Sequence, residues 1–222
     1  MRKKSRKLFE AKIIDSLRFS KWLANIVPVR KKSGEIRLCV DFKNLNQVSL
    51  KDNYPLPNMD HILQRVVRSQ RMSLLDGFSG YNQVAVHPDD QEKTTFTTPW
   101  GTFMYSKMPL GLINVGDNFQ REMDIALSKE RDMFVVIYLD DITVFSKTDQ
   151  DHLEHLKKVF LKCTKFGISL NPKKPNFAME EGKILGHIIS EKGSRIDPDR
   201  VAAIQKIGMP QKKKRPNRSS AR

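Results

Sequence analysis

The sequence predicts an α+β fold, with strands and helices interspersed but without the regular alternation that builds a doubly wound parallel sheet. Three observations carry that prediction. Hairpin signals stand at Ser33-Gly34 and Pro99-Trp100-Gly101, two apolar strands flank Asp140-Asp141, and helical apolar spacing runs over 112–127 and 152–166. A chain of 222 residues is long enough for one large domain or two small ones with a real core. Its 39% hydrophobic and 29% charged residues exclude a disordered tail, and no run approaches the roughly 18 apolar residues of a membrane span. The N-terminal basic residues lead into no apolar stretch, so a secretory signal is not expected. Cys39 and Cys163 lack CxxC spacing, which excludes a zinc ribbon or a disulfide scaffold. An intracellular place, cytoplasmic or nuclear, is expected from this cysteine usage.

Taken in order, residues 1–20 read as a basic leader with a weak helix around Leu8–Leu17. Residues 21–205 read as the main body. WLANIVPV and EIRLCVDF make the two strands of a hairpin. The two prolines of 50–57 force an extended segment, and Asn58 can cap a helix whose Met59, Ile62, Leu63, Val66 and Val67 share a face. MSLLD (72–76) is a short strand ending in the sharp turn Gly77-Phe78-Ser79-Gly80, and 81–86 is again extended. A hairpin over 93–98 and 102–108 precedes a helix at 112–127. Next come the strands of 133–146, a helix at 152–166, a strand at 183–190 and a short helix from Pro198. Residues 206–222 read as a basic tail.

The formal charge of +15 is unevenly spread. Residues 1–37 carry +9 and residues 206–222 carry +7, leaving 38–205 at −1. Cationic ends point to nucleic acid. They do so without specifying any chemistry.

The carboxylates are more informative. Asp140 and Asp141 lie between arms fit for burial, Val135 to Ile137 and Ile142 to Phe145, where adjacent anions are costly unless compensated. One reading is a solvated hairpin turn, for which Asp is an ordinary residue. Asp76, closing a second apolar strand before a glycine-rich turn, supports another. Three aspartates at strand ends could converge on one or two hard divalent ions, with substrate phosphates completing the shell. Two such ions suit an in-line phosphoryl displacement.

Eight segments then carry a family resemblance: WLANIVPVRKKSGEIRLCVDFKNLN, DNYPLP, SLLDGFSGYNQ, EKTTFTTPWGTFMYSKMPLGL, NFQRE, YLDDITVFS, LNPKK and LGHIIS occur in that order. Together they resemble the reverse transcriptase domain of gypsy-class LTR retrotransposons, the plant type in particular, over roughly residues 20–207. The resemblance implies a right-hand polymerase fold of fingers and palm, with an antiparallel palm sheet backed by helices. It also implies RNA-directed DNA polymerase activity on a template-primer with deoxynucleoside triphosphates, using two Mg²⁺ ions, with Mn²⁺ as a substitute. It identifies Asp76 and Asp140 as metal ligands and Asp141 as their support, with the backbone of Leu75 and Gly77 flanking the ions and the triphosphate. Tyr81 matches the aromatic under the incoming sugar, which leaves no room for a 2′-hydroxyl; it can also simply pack beneath its turn. Lys32 (or Lys31) and Arg37 match finger residues on the triphosphate, and Lys174 (or Lys173) a lysine that protonates the departing pyrophosphate. Pro109, Leu110 and Gly111 match the segment meeting the nascent base pair and template, followed by Phe119, Gln120 and Arg121. Tyr138 and Leu139 belong to the YxDD turn beside the primer. Leu185, Gly186 and His187 resemble the primer grip.

The sequence departs from that pattern at 113–119, where Val115 is bulkier than usual and Asp117 brings an anion. Asp117 either faces template phosphates, weakening binding, or lies in a first helical turn, where a carboxylate favours the macrodipole. After AAIQKIGMP the chain ends QKKKRPNRSSAR, unlike the thumb and RNase H continuation of the family. That ending predicts a truncated copy with the thumb absent or incomplete, and leaves open an inactive relic that only binds nucleic acid. Oligomeric state has no signature. His152 and His155 have metal-like spacing, but a helix surface is the expected home for them. Phe78, Tyr81, Phe96, Phe103 and Tyr105 are expected mainly in packing, and KKKRP resembles a nuclear-import signal or a nucleic-acid contact.

Overall fold

The structure, a computed structural model, describes residues 2–30, 34, 36–77, 80–172 and 176–207. From the N-terminus, α1 (Arg2–Glu10) leads to β1 (Ile14–Ser16), then to β2 (Ile26–Arg30), β3 (Ile36–Val40) and α2 (Lys43–Val48). An extended segment reaches α3 (Met59–Val66), then β4 (Arg71–Asp76), α4 (Pro88–Gln91), β5 (Phe96–Thr98) and β6 (Gly101–Tyr105). The long helix α5 (Val115–Ala126) precedes β7 (Val135–Tyr138), β8 (Asp141–Ser146) and α6 (Asp149–Phe166). The chain continues through β9 (Asn176–Met179), β10 (Glu181–Ile184), β11 (His187–Ser190), β12 (Gly193–Ile196) and α7 (Pro198–Gln205).

The strands pair into four antiparallel sheets. The central one has the order β7-β8-β4-β9, and its register sets Asp76 opposite Asp141 and Tyr138 opposite Asp141. Successive side chains on a strand point to opposite faces, so a strand buried on both sides needs an unbroken apolar run. Val135, Ile137, Ile142 and Val144 pack one way, against Phe119 and Met123 of α5 and Leu156, Val159 and Cys163 of α6. Val136, Met72 and Phe145 pack the other way, against Ile62 and Val66 of α3 and Ile184 and Ile189 of the β10-β11-β12 sheet. A separate core of Ile14, Val40, Phe42, Phe96 and Tyr105 closes the β1-β6-β5 sheet against the end of the β2–β3 hairpin.

Most elements match the sequence reading. Asn58 caps α3, its side-chain oxygen accepting from the Asp60 N–H at 2.8 Å. Thr148 caps α6 in the same way, which starts that helix three residues earlier than expected. Three expectations are corrected. The leader's helix covers Arg2–Glu10, while Ile14–Ser16 pairs with β6 because Ile14 is wholly buried in the core there. Residues 80–83 form a 3₁₀ turn instead of an extended run, which lets Tyr81 and Val84 fold onto the core around Phe119. Residues 183–190 are two strands, β10 and β11, reversed at Leu185 and Gly186 with φ 49° and 80°. Positive φ at both central positions is the two-residue hairpin geometry that matches strand twist. Phe78, Ser79 and the tail from 208 onward, with its KKKRP segment, lie outside the described residues.

Candidate active site

The site stands where three strand ends meet. β4 delivers Asp76 at its last residue, β8 delivers Asp141 at its first, and Asp140 occupies the two-residue turn before it. The turn is tied across to β4 because the Gly77 N–H donates to the Asp140 carbonyl at 3.2 Å. The N–H of Asn171 donates to the Asp76 carbonyl at 2.8 Å, and its side-chain Nδ2 reaches Asp76 Oδ2 at 3.3 Å. Gly80 lies against Asp140: an added Cβ would stand 3.6 Å from the Asp140 Cβ, and φ is +29°. Tyr81 follows, its ring edge-on to Phe119 at 5.4 Å. Burial, then the charges of Asp140 and Asp141, push the Tyr81 phenol above its ordinary pKa.

The donor set is oxygen-only and partly exposed at a sheet end, which suits a hard divalent cation. Among the described residues no three His, Cys, Asp or Glu side chains close around one point. An ion held here would therefore rest on one or two carboxylates, with water and phosphate completing its shell, as is usual for Mg²⁺.

The other expected site residues divide. Leu75 is buried in the core, so only its backbone is available to the site. Leu139 sits in the turn with φ 55°. Tyr138 and Asp141 border a small cavity shared with Leu185 at the tip of the β10–β11 hairpin. Gly186 meets that tip's other neighbour, Arg200, whose Nη1 donates to the Leu185 carbonyl at 3.1 Å. His187 follows on β11, partly exposed. Leu110 and Gly111 are exposed, and Gly111 takes φ +114°.

Two residues assigned to template or primer have no exposed side chain: Pro109 is buried, and Gln120 is wholly buried on the core side of α5. Val115 packs with Val86 and Met108, so its bulk fills a core instead of facing a template. Asp117 lies in the first turn of α5. His152 is also misplaced by the sequence reading. It is buried between β4, β8 and α6, with Nε2 2.7 Å from Ser73 Oγ and Nδ1 3.0 Å from Ser146 Oγ. Lys31, Lys32, Lys173 and Lys174 lie outside the described residues. So does the side chain of Arg37, whose backbone pairs with Val29.

Sequence reasoning missed a set of side-chain amides that clasp backbone. Asn46 donates to the Gly111 carbonyl at 2.8 Å and accepts from the Ile113 N–H at 2.9 Å. Asn114 accepts from the Asp52 N–H and donates to the Leu50 carbonyl. Gln83 bonds both the N–H and the carbonyl of Ser169. Each stands in for the backbone of an absent strand, and periodicity carries no trace of it.

This arrangement of a helix-backed antiparallel sheet bearing carboxylates, with a second β body beside it, is the palm and fingers of a right-hand polymerase fold. Residues 29–189 match the family described as reverse transcriptase (RNA-dependent DNA polymerase), and the chain belongs to that family. It is 33% identical over 193 residues to the retrovirus-related Pol polyprotein from transposon 297 of Drosophila melanogaster, covering 87% of this chain and 18% of that one. It is 34% identical over 175 residues to the Pol polyprotein from transposon gypsy of the same organism, covering 78% and 17%. A Tf2-3 polyprotein of Schizosaccharomyces pombe is 34% identical over 165 residues, covering 74% and 12%. The chain thus spans less than a fifth of the length of these relatives. Among solved structures, a foamy viral protease-reverse transcriptase in complex with double-stranded DNA superposes with TM-score 0.83 at 25% identity, covering 91% of this chain and 35% of that one. Another structure of that enzyme with double-stranded DNA gives TM-score 0.84 at 24% identity, covering 94% and 43%.

Proposed function

We propose that this chain is the fingers and palm of an RNA-directed DNA polymerase that adds deoxynucleotides to a primer 3′-hydroxyl. The observation that carries the reading is that Asp76 pairs opposite Asp141, with Asp140 in the adjoining turn, at the strand ends of a family-matched palm. Asp76 and Asp140 would hold two Mg²⁺ ions, with Mn²⁺ as a substitute and Asp141 in support. When bound, such ions polarise the phosphoryl oxygens and favour the ionised primer hydroxyl. The half-buried Tyr81 ring, close to Asp140, would lie under the sugar and exclude a 2′-hydroxyl. Arg37 and Lys32 would grip the triphosphate, Arg by paired hydrogen bonds and Lys as a mobile charge. Lys174 would give a proton to the leaving pyrophosphate. The backbone of Leu75 and Gly77 would border the triphosphate, Leu110 and Gly111 would meet the nascent pair, and Tyr138 with Leu185 to His187 would orient the primer end. Template-primer as partner is supported by the foamy viral structures with double-stranded DNA and with RNA/DNA hybrid. An intracellular place is part of the same reading.

The gypsy-class assignment is supported by the insect and yeast relatives, which lend no support to a plant type. A relic that only binds nucleic acid is not favoured, because the catalytic carboxylates and the aromatic beside them are retained together.

Primer extension on an RNA template tests the proposal. Incorporation should require Mg²⁺ and fall by more than about 100-fold in Asp140→Asn, beyond the usual loss from an outer-shell change. A well-folded parent chain that incorporates nothing would sink it.

A further inference from the structure

We propose that Gln120 is a positioning residue for Asp140, with its amide aimed by Asp124; the functional half of this rests on the polymerase reading above. Leu139 is the first residue of the turn between β7 and β8, and its φ of 55° is the left-handed region that a leucine rarely enters. Something must hold it there. Gln120 comes up from α5 beneath the turn, wholly buried, and its Oε1 accepts from the Leu139 N–H at 2.7 Å. Its Nε2 donates to Asp124 Oδ1 at 3.1 Å and to the Ile137 carbonyl at 3.3 Å. With two oxygens facing one end of the amide and an N–H facing the other, the amide has one satisfied orientation.

Asp124 is fixed in turn. Its Oδ2 accepts from the Tyr54 hydroxyl at 2.7 Å and pairs with Arg131 Nη1 at 2.9 Å, and the residue is only 7% exposed. That carboxylate pushes both the Tyr54 phenol and the Arg131 guanidinium above their ordinary pKa, first through its hydrogen bonds. One helical turn before Gln120, Gly116 makes room for the Leu139 side chain: a Cβ there would stand 3.2 Å from Leu139 Cδ2. Helix α5 therefore presents a gap and an amide, four residues apart on one face, shaped to the turn. Asp140 is the next residue, its own carbonyl bonded to the Gly77 N–H.

The test separates the holding from its consequence. Gln120→Met keeps the volume and removes every polar contact. Gln120→Glu keeps the acceptor for Leu139 but sets two carboxylates together. The exchange Gln120→Glu with Asp124→Asn restores a donor–acceptor pair. Hydrogen exchange at the Leu139 amide should quicken at least about tenfold in Gln120→Met while the β8 amides stay protected, and recover in the double variant relative to Gln120→Glu. Mn²⁺ affinity, measured by magnetic resonance on the full chain, should fall about 10- to 100-fold in Gln120→Met, as for outer-shell partners generally, with template-primer affinity unchanged. Unchanged exchange at Leu139 in a folded variant overturns the proposal. So does lost template-primer affinity with Mn²⁺ binding intact. Should Gln120→Met not fold, the contrast between Gln120→Glu and the double variant decides on the same two readouts. If Asp140→Asn leaves Mn²⁺ affinity intact, the metal-site reading fails, and exchange at Leu139 still decides whether Gln120 holds the turn.

Discussion

The β2–β3 and β7–β8 hairpins are both two antiparallel strands closed by a short connection, yet their surroundings are opposite. The β7–β8 pair is flanked by β4, covered on one face by α5 and α6 and on the other by α3 and the β10-β11-β12 sheet. The β2–β3 pair is a sheet by itself, and Val27 and Val29 are each 45% exposed. An isolated two-stranded hairpin is marginal in water, whereas a strand buried on both faces opens only with the domain. The candidate functions follow that division. Carboxylates proposed to hold an ion need fixed positions: Asp140 and Asp141 sit at the tip of the buried hairpin, and Asp76 ends the adjoining β4. Arg37, expected to meet a mobile triphosphate, sits on the exposed one.

The largest expected difference lies in local stability. Amide protection in the Ile142–Phe145 stretch should exceed that of Val27–Val29 by on the order of a thousandfold or more under native conditions. Equal protection, read by hydrogen exchange, would mean that the hairpins open together and that the contrast is false.

Truncation should show the same contrast on a smaller scale. Ile142 is 1% exposed and packs on the core beneath the site, so Ile142→Ala should cost about 3 kcal/mol of unfolding free energy. Val29→Ala, at the exposed hairpin, should stay within about 0.5 kcal/mol. Urea denaturation of the two variants measures both. A loss of more than about 1 kcal/mol at Val29 would show that its side chain is covered in solution.

What the sequence made legible divides along the same physical line. Elements set by near neighbours were readable: the apolar arms around Asp140-Asp141, the Asn58 cap, the helical face of α6. So were the three aspartates, because a carboxylate between buried arms is conspicuous in any sequence. Contacts between distant residues were not. Gln120 looked like a nucleic-acid contact because its neighbours Phe119 and Arg121 belong to a recognisable motif, while its partner Leu139 is nineteen residues away. The 183–190 run looked continuous because its turn uses Leu185-Gly186 instead of the Asn-Gly or Asp-Gly pair that announces such reversals. His152 looked exposed because helical spacing shows the face but not what covers it, and Ser73 lies on a different strand 79 residues earlier.

That buried histidine gives the smallest of the expected effects and ties the palm sheet to its helix. Ser73, His152, Ser146 and His155 form a chain of hydrogen bonds between β4, β8 and α6, with Ser146 Oγ 2.8 Å from His155 Nδ1. His155 also stacks on Phe134 at 3.9 Å. Neutral imidazoles, each with one N–H donor and one bare nitrogen acceptor, can satisfy every link of this chain, whereas a protonated ring has no acceptor nitrogen. Burial holds both imidazoles below their ordinary pKa of 6.5. For His152, neighbouring His155 and Arg71 add to that and Asp149 opposes it; for His155, Lys158 adds to it while Asp151, a backbone hydrogen bond at Phe145 and Glu154 oppose it. The unfolded chain therefore binds more protons than the folded one just below pH 6.5, so this stabilisation is complete above that pH and is lost as pH falls. The urea midpoint should drop between pH 7.5 and pH 5. His152→Gln, less stable at pH 7.5, should lose less over that interval. The exposed β2–β3 hairpin has no histidine, so its amide exchange, corrected for intrinsic rates, should change less across the same range than that of β8. A midpoint that is flat from pH 7.5 to 5 would show that the imidazoles protonate without disturbing the sheet and helix they join.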